Sequence, residues 1–178
     1  ARGFYRYLLR EGRLAVDPTL DVDSPRLGRP LPKSLSESDI DQLLQAPDVD
    51  QALELRDRTM LELLYACGLR VSELTGMQMT QLSLNQGVVR VFGKGGKERL
   101  VPVLPAARQA VAAYVALCPL PAEPGQPLFR GARGGPLNPR LVALAMEKAR
   151  ARLGLPASAT PHALRHSFAT HLLAAGGD

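Results

Sequence analysis

The chain has 178 residues, 46% of them hydrophobic, enough for one domain with a real core and part of a second. No apolar run reaches membrane-spanning length and nothing reads as a signal peptide, so a membrane-embedded class is not indicated. The net charge of +5 is uneven: residues 1–85 carry ten Lys and Arg against thirteen Asp and Glu, residues 86–178 twelve against four, which points to a polyanion bound by the C-terminal half.

Residues 1–14 set Phe4, Tyr7, Leu8 and Leu9 against Arg2, Arg6, Arg10 and Arg13, the pattern of a basic amphipathic helix. Val16 to Pro32 holds four prolines and reads as an extended linker, so a domain boundary belongs there. The organisation expected is a helix in 1–16, a linker in 17–33 and a main domain over 34–178. Ser36 and Asp39 form a capping-box pattern ahead of Ile40, Leu43 and Leu44. A longer helix is expected from Gln51 to Cys67, with Leu53, Met60, Leu61, Leu63, Leu64 and Tyr65 as core candidates and Gly68 as its stop. Arg70 then falls in a tight turn, and Glu73, three residues on, is placed to orient it.

Val88 to Val103 carries two β-rich runs around Gly93-Lys94-Gly95-Gly96, a hairpin with a glycine-rich tip, and a further strand is expected near Leu82–Leu84. Spacing to a Gly-Lys-Ser/Thr element is missing, which rules out a nucleotide-binding P-loop. Ala106–Leu117 reads as an alanine-rich helix and Pro119–Leu137, with five prolines, as a loop. Asn138 and Pro139 start another helix whose Arg140, Lys148, Arg150 and Arg152 suit a DNA backbone or a solvated surface. Thr160 and Pro161 start the last helix, which Gly176-Gly177 ends. His162 and Arg165 share a face of it with His166 beside them, while His171 lies about half a turn away. Cys67 and Cys118 sit in apolar helical patterns and read as buried thiols; neither a metal site nor a disulfide framework is suggested, and a cytoplasmic location is the default.

Arg70 in a helix corner, Lys94 on a hairpin tip, and His162 with Arg165 at a helix start are the unusual cations. Two guanidiniums clamp the non-bridging oxygens of a phosphodiester and stabilise a pentavalent transition state. A lysine protonates a leaving alkoxide, and a histidine adds a hydrogen bond or a proton. No carboxylate cluster has metal-ligand spacing, so two-metal hydrolysis fits poorly. The set describes metal-free phosphoryl transfer that needs a nucleophile from elsewhere. A DNA-binding module without catalysis is the alternative reading of the same basic half.

GLRVSEL at 68–74, GKGGKERLVPV at 93–103 and PHALRHSFATHLL at 161–173 resemble the catalytic boxes of the tyrosine recombinases, the phage integrase family, and above all its bacterial Xer branch. The resemblance implies a mainly α fold with a small antiparallel β-sheet (α+β), a tyrosine recombinase catalytic domain. It implies Arg70, Lys94, His162 and Arg165 as catalytic residues and Glu73 as their supporting acid, with no cofactor and no metal. It further implies strand exchange on double-stranded DNA through a 3′-phosphotyrosyl link in a synaptic tetramer, with a sister Xer recombinase and an FtsK-like translocase as partners in chromosome-dimer resolution. Against the family pattern, the Leu-Gly-His box and the nucleophilic tyrosine are absent, since Tyr5, Tyr7, Tyr65 and Tyr114 all lie outside the nucleophile's context. The 178 residues therefore read as a fragment cut at both ends and unable to cleave by itself, with 1–16 as the last helix of an upstream DNA-clamping domain.

Overall fold

The computed structural model describes residues 2–19, 21, 34–120 and 125–176, with the backbone alone at Arg2 and Lys94. The chain divides into two compact units, Ala1–Leu31 and Pro32–Asp178. In the first, α1 (Arg2–Arg10) is shorter than its amphipathic pattern, because the chain turns away at Gly12, whose φ of 67° favours a residue without a Cβ. Phe4 and Tyr7 on its apolar side are exposed. Asp17 closes a local turn by accepting from Thr19 N and Thr19 Oγ1 at 2.8 and 2.7 Å. Residues 20 and 22–33, most of the expected linker, lie outside the described residues.

The second unit runs α2 (Glu37–Gln45), α3 (Ala52–Ala66), α4 (Val71–Thr75), β1 (Leu82–Ser83), β2 (Val88–Phe92), β3 (Glu98–Pro102), α5 (Pro105–Leu117), α6 (Pro139–Leu153) and α7 (Pro161–Ala174). It is mostly helical with one three-stranded antiparallel sheet in the order β1-β2-β3. Ser36 caps α2 through the expected reciprocal pair with Asp39. α3 is the axis of the unit and packs on α2, α4, α5, α6 and α7. A helix so surrounded buries side chains on most of its circumference, and Leu55, Met60, Leu61, Leu63 and Leu64 are buried. Leu53, expected in the core, is half exposed: two residues from Leu55 on a helix, it faces the other way. Two buried charges on α3 answer each other, Arg56 Nε and Nη2 donating to Asp57 Oδ1 at 3.0 and 2.6 Å.

β2 alternates as a half-covered strand should, Val89 and Val91 buried, Arg90 and Phe92 exposed. The stretch after α5 is a loop, as expected, and it also supplies core. Leu128, Phe129 and Leu137 are buried, and Phe129 stacks on Tyr114 with ring centroids 5.3 Å apart. α6 begins at Asn138, whose Oδ1 accepts from Arg140 N at 2.9 Å, and ends at left-handed Gly154. Its cations are largely engaged within the fold. Arg152 donates to Ala46 O and to both oxygens of Glu54, Arg150 to the carbonyls of Ala157 and Ala159, and Arg140 to Glu147. Cys67 is buried as expected, whereas Cys118, at the open end of α5, is only half-buried. Among the described residues no helix is long and apolar enough to cross a membrane.

Candidate functional site

The site is built where the end of α3 meets α7. Gly68 follows α3 with φ 54°, and a Cβ there would stand 2.4 Å from Phe168 Cδ1. Glycine therefore serves twice, taking the left-handed turn and letting the α7 ring lie on the backbone. That contact brings Arg165, one turn earlier on α7, to the Gly68 carbonyl, which accepts from its Nη1. The turn out of Gly68 sets Arg70 as the residue before α4, in extended backbone, and Glu73 in that helix's first turn.

Glu73 is the hub. Its side chain is 4% exposed. Oε2 accepts from Arg70 N at 2.8 Å and Oε1 from Arg70 Nη1 at 2.9 Å. Arg99 on β3 donates from Nη1 to Oε1 and from Nη2 to Oε2, each at 2.9 Å. Arg165 Nη1 stands 4.0 Å from Oε2. Burial pushes the Glu73 carboxyl up, but the hydrogen bonds from Arg99 and from the backbone and side chain of Arg70 outweigh it and hold the pKa at about 2. Burial, with Arg70 beside it, lowers Arg165 against the pull of Glu73, and the group stays cationic at any ordinary pH. Three guanidiniums around one carboxylate leave a surplus of positive charge, and the Arg70 side chain is more than half exposed. The arrangement has donors to spare for a second anion.

Of the residues singled out from sequence, the structure brings Arg70, Glu73 and Arg165 together. His162 is exposed on the first turn of α7, one turn before Arg165, and Thr160 caps that turn by accepting from Ala163 N at 3.2 Å. The backbone of Lys94 lies at the hairpin tip, Gly93–Gly96, where Gly95 and Gly96 have φ of 78° and 73°; its side chain lies outside the described residues. His171 is occupied elsewhere, its Nδ1 3.0 Å from the Tyr65 hydroxyl. Tyr114 is buried, and burial pushes its phenol up; burial likewise pushes the Cys67 thiol up to about 12, so it is no nucleophile. Arg99 was not legible in the sequence. On β3 it is one polar residue in an alternating run, and only its pairing with Val91, on the face shared with buried Val89, turns it toward α4.

A mostly helical unit with this small sheet is the architecture of recombinase and integrase catalytic domains. It superposes on the crystal structure of XerA recombinase with a TM-score of 0.71 and 26% identity, over 82% of this chain and 52% of that one. The chain also matches the fold of a λ integrase(75–356) dimer bound to a COC′ core site, with a TM-score of 0.75, 18% identity, and 99% and 65% of the two chains covered. Residues 33–178 match the phage integrase family, and the chain belongs to it. It is 52% identical over 180 residues to the tyrosine recombinase XerD of Pseudomonas aeruginosa, covering 99% of this chain and 60% of that one. To the tyrosine recombinase XerC of Rhodospirillum centenum it is 49% identical, covering 99% and 53%. The chain thus spans a little over half the length of the curated relatives it matches.

Proposed function

We propose that residues 34–178 form the phosphate-activating part of a site-specific DNA recombinase that cuts and rejoins strands without a metal. Arg70 and Arg165 hold the non-bridging oxygens of one phosphodiester. Lys94, on the hairpin tip, protonates the leaving 5′-oxygen, and His162 supplies a further hydrogen bond or proton. A tyrosine attacks the phosphorus, leaving a 3′-phosphotyrosyl link and a free 5′-hydroxyl; the joining step runs the same path backwards. The observation that carries this reading is the gathering of Arg70 and Arg165, from well-separated parts of the sequence, around a saturated Glu73 carboxylate. An arginine pair kept short of neutralisation serves an anion that has yet to arrive.

None of the tyrosines in the main unit is poised for the attack, Tyr65 being bonded to His171 and Tyr114 buried. On this reading the 178 residues alone do not cleave, and the attacking tyrosine is supplied from outside them. α1, with Phe4 and Tyr7 exposed, belongs to a second DNA-clamping domain. Extending the resemblance of its motifs to the Xer branch, this reading has the whole protein act in the cytoplasm on double-stranded DNA with a sister recombinase, in chromosome-dimer resolution under an FtsK-like translocase.

The test is a nicked duplex that traps covalent adducts, offered to the 178-residue chain and to a version extended past Asp178. Adduct is expected only after extension, and is lost again with Arg70→Ala or Arg165→Ala. Adduct from the 178 residues alone would overturn the incompetence. Full activity of both alanine variants would overturn the site. DNA binding without adduct in any version would leave a DNA-binding module in place of an enzyme.

A further inference from the structure

The Glu73 carboxylate has room for about four hydrogen bonds. It receives four: two from Arg99, one from the Arg70 side chain and one from Arg70 N. Arg99 thus fills half of its capacity, in the planar two-toothed geometry a guanidinium gives and an ammonium does not. Arg70 is left with a single side-chain bond, and Arg165 waits at 4.0 Å from Oε2. If Arg99 is withdrawn, two acceptor positions open on a buried carboxylate that must be satisfied. The nearest donors are the remaining N–H groups of Arg70 and the Nη1 of Arg165, the groups that the reading above assigns to the phosphodiester.

We infer that Arg99 is a positioning residue which, by occupying both oxygens of Glu73, keeps that carboxylate from capturing Arg70 and Arg165 and so leaves them free for phosphate. The inference rests on the recombinase reading. It goes beyond it in giving the site a third arginine that need not touch DNA. Arg99 pairs with Val91 on the sheet face that carries buried Val89, and both of its Nη atoms are bonded to Glu73.

The test uses the version extended past Asp178, with single-turnover adduct formation on the nicked duplex at saturating protein and the Kd measured alongside. Arg99→Gln is expected to slow adduct formation about a hundredfold, the usual consequence of misplacing a reacting group by an ångström, while Kd changes by roughly what the loss of one charge costs. Arg99→Lys restores charge without the two-toothed grip and is expected to recover only part of the rate. In a Glu73→Gln background, where no carboxylate competes, Arg99→Gln should have little further effect, an outcome that a general packing role does not produce. On the 178-residue chain, carboxyl-carbon NMR should show Glu73 still titrating well below the usual carboxylate range in Arg99→Gln, because Arg70 and Arg165 take the positions Arg99 left. A parent rate retained in Arg99→Gln, an equal loss in both backgrounds, or a Glu73 titration returned to the ordinary carboxylate range would each overturn the inference alone. No adduct from the extended parent would overturn the recombinase reading and this inference together.

Discussion

Gly68→Ala tests whether the α3–α7 contact sets the site. The new methyl would stand 2.4 and 2.6 Å from Cδ1 and Cε1 of Phe168, where ordinary contacts lie at 3.4–4 Å. The clash falls on the flank of a ring, so no flexible tip can swing clear of it. Overpacking of this kind costs about 1–3 kcal/mol. The backbone adds to it, since an L-residue at φ 54° costs roughly 1–2 kcal/mol. A combined loss of about 3 kcal/mol lowers Tm by roughly 6–12 °C for a unit of this size. Calorimetry on the parent, Gly68→Ala, Phe168→Leu and the double variant separates the two costs. Phe168→Leu should relieve the steric part, so that alanine at 68 costs only the backbone share in that background. A single variant within about 2 °C of the parent, or additive losses in the double variant, would refute the close approach. DNA binding by Gly68→Ala should weaken as well, because Arg165 is bonded to the displaced carbonyl.

Glu73 has its pKa depressed from 4.5 to about 2. Its stabilisation is accordingly full above pH 4.5 and disappears as pH falls toward 2. Urea titrations should find Glu73→Gln weaker than the parent at about pH 6, with the gap closing through that acid window; a gap independent of pH would contradict the ion cluster. Ser167, fully buried, accepts from Leu35 N at 2.8 Å and donates to Ala163 O at 2.9 Å. Ser167→Ala orphans the Leu35 amide and should cost about 1–3 kcal/mol, read as a lowered denaturation midpoint. Binding of duplex DNA to the 178-residue chain should weaken by about 0.9 log units per phosphate contact for each tenfold rise in salt, and a flat response would point to a different partner.

Local signals carried much of the architecture. Ser36 with Asp39, Asn138 with Pro139 and Thr160 with Pro161 each mark a helix start by satisfying its first free amides, a need that does not depend on distant neighbours. The hairpin was legible for the same reason. What distant packing decides was not legible. Phe129 sits in a proline- and glycine-rich stretch, and nothing local says that it stacks on Tyr114. The cations of α6 form a basic stripe on paper. Glu54 and the Ala46 carbonyl, 98 and 106 residues earlier in the chain, take up Arg152. Arg70 and Glu73 stood out by their three-residue spacing, whereas Arg99 required the strand register and the position of α4 to be known together.

The arginine cluster also has an order in time. Arg70 and Glu73 leave the ribosome first and Arg99 follows with the hairpin. Arg165 comes only after the whole of α5 and α6 has been made. Until α7 settles on α3, the Gly68 carbonyl lacks its donor and one of the three guanidiniums is missing from the carboxylate. A half-made chain thus carries scattered positive charge, and the completed grip arrives in one step with the docking of the last helix. On the recombinase reading, a nascent chain lacks the grip on phosphate that docking of α7 completes.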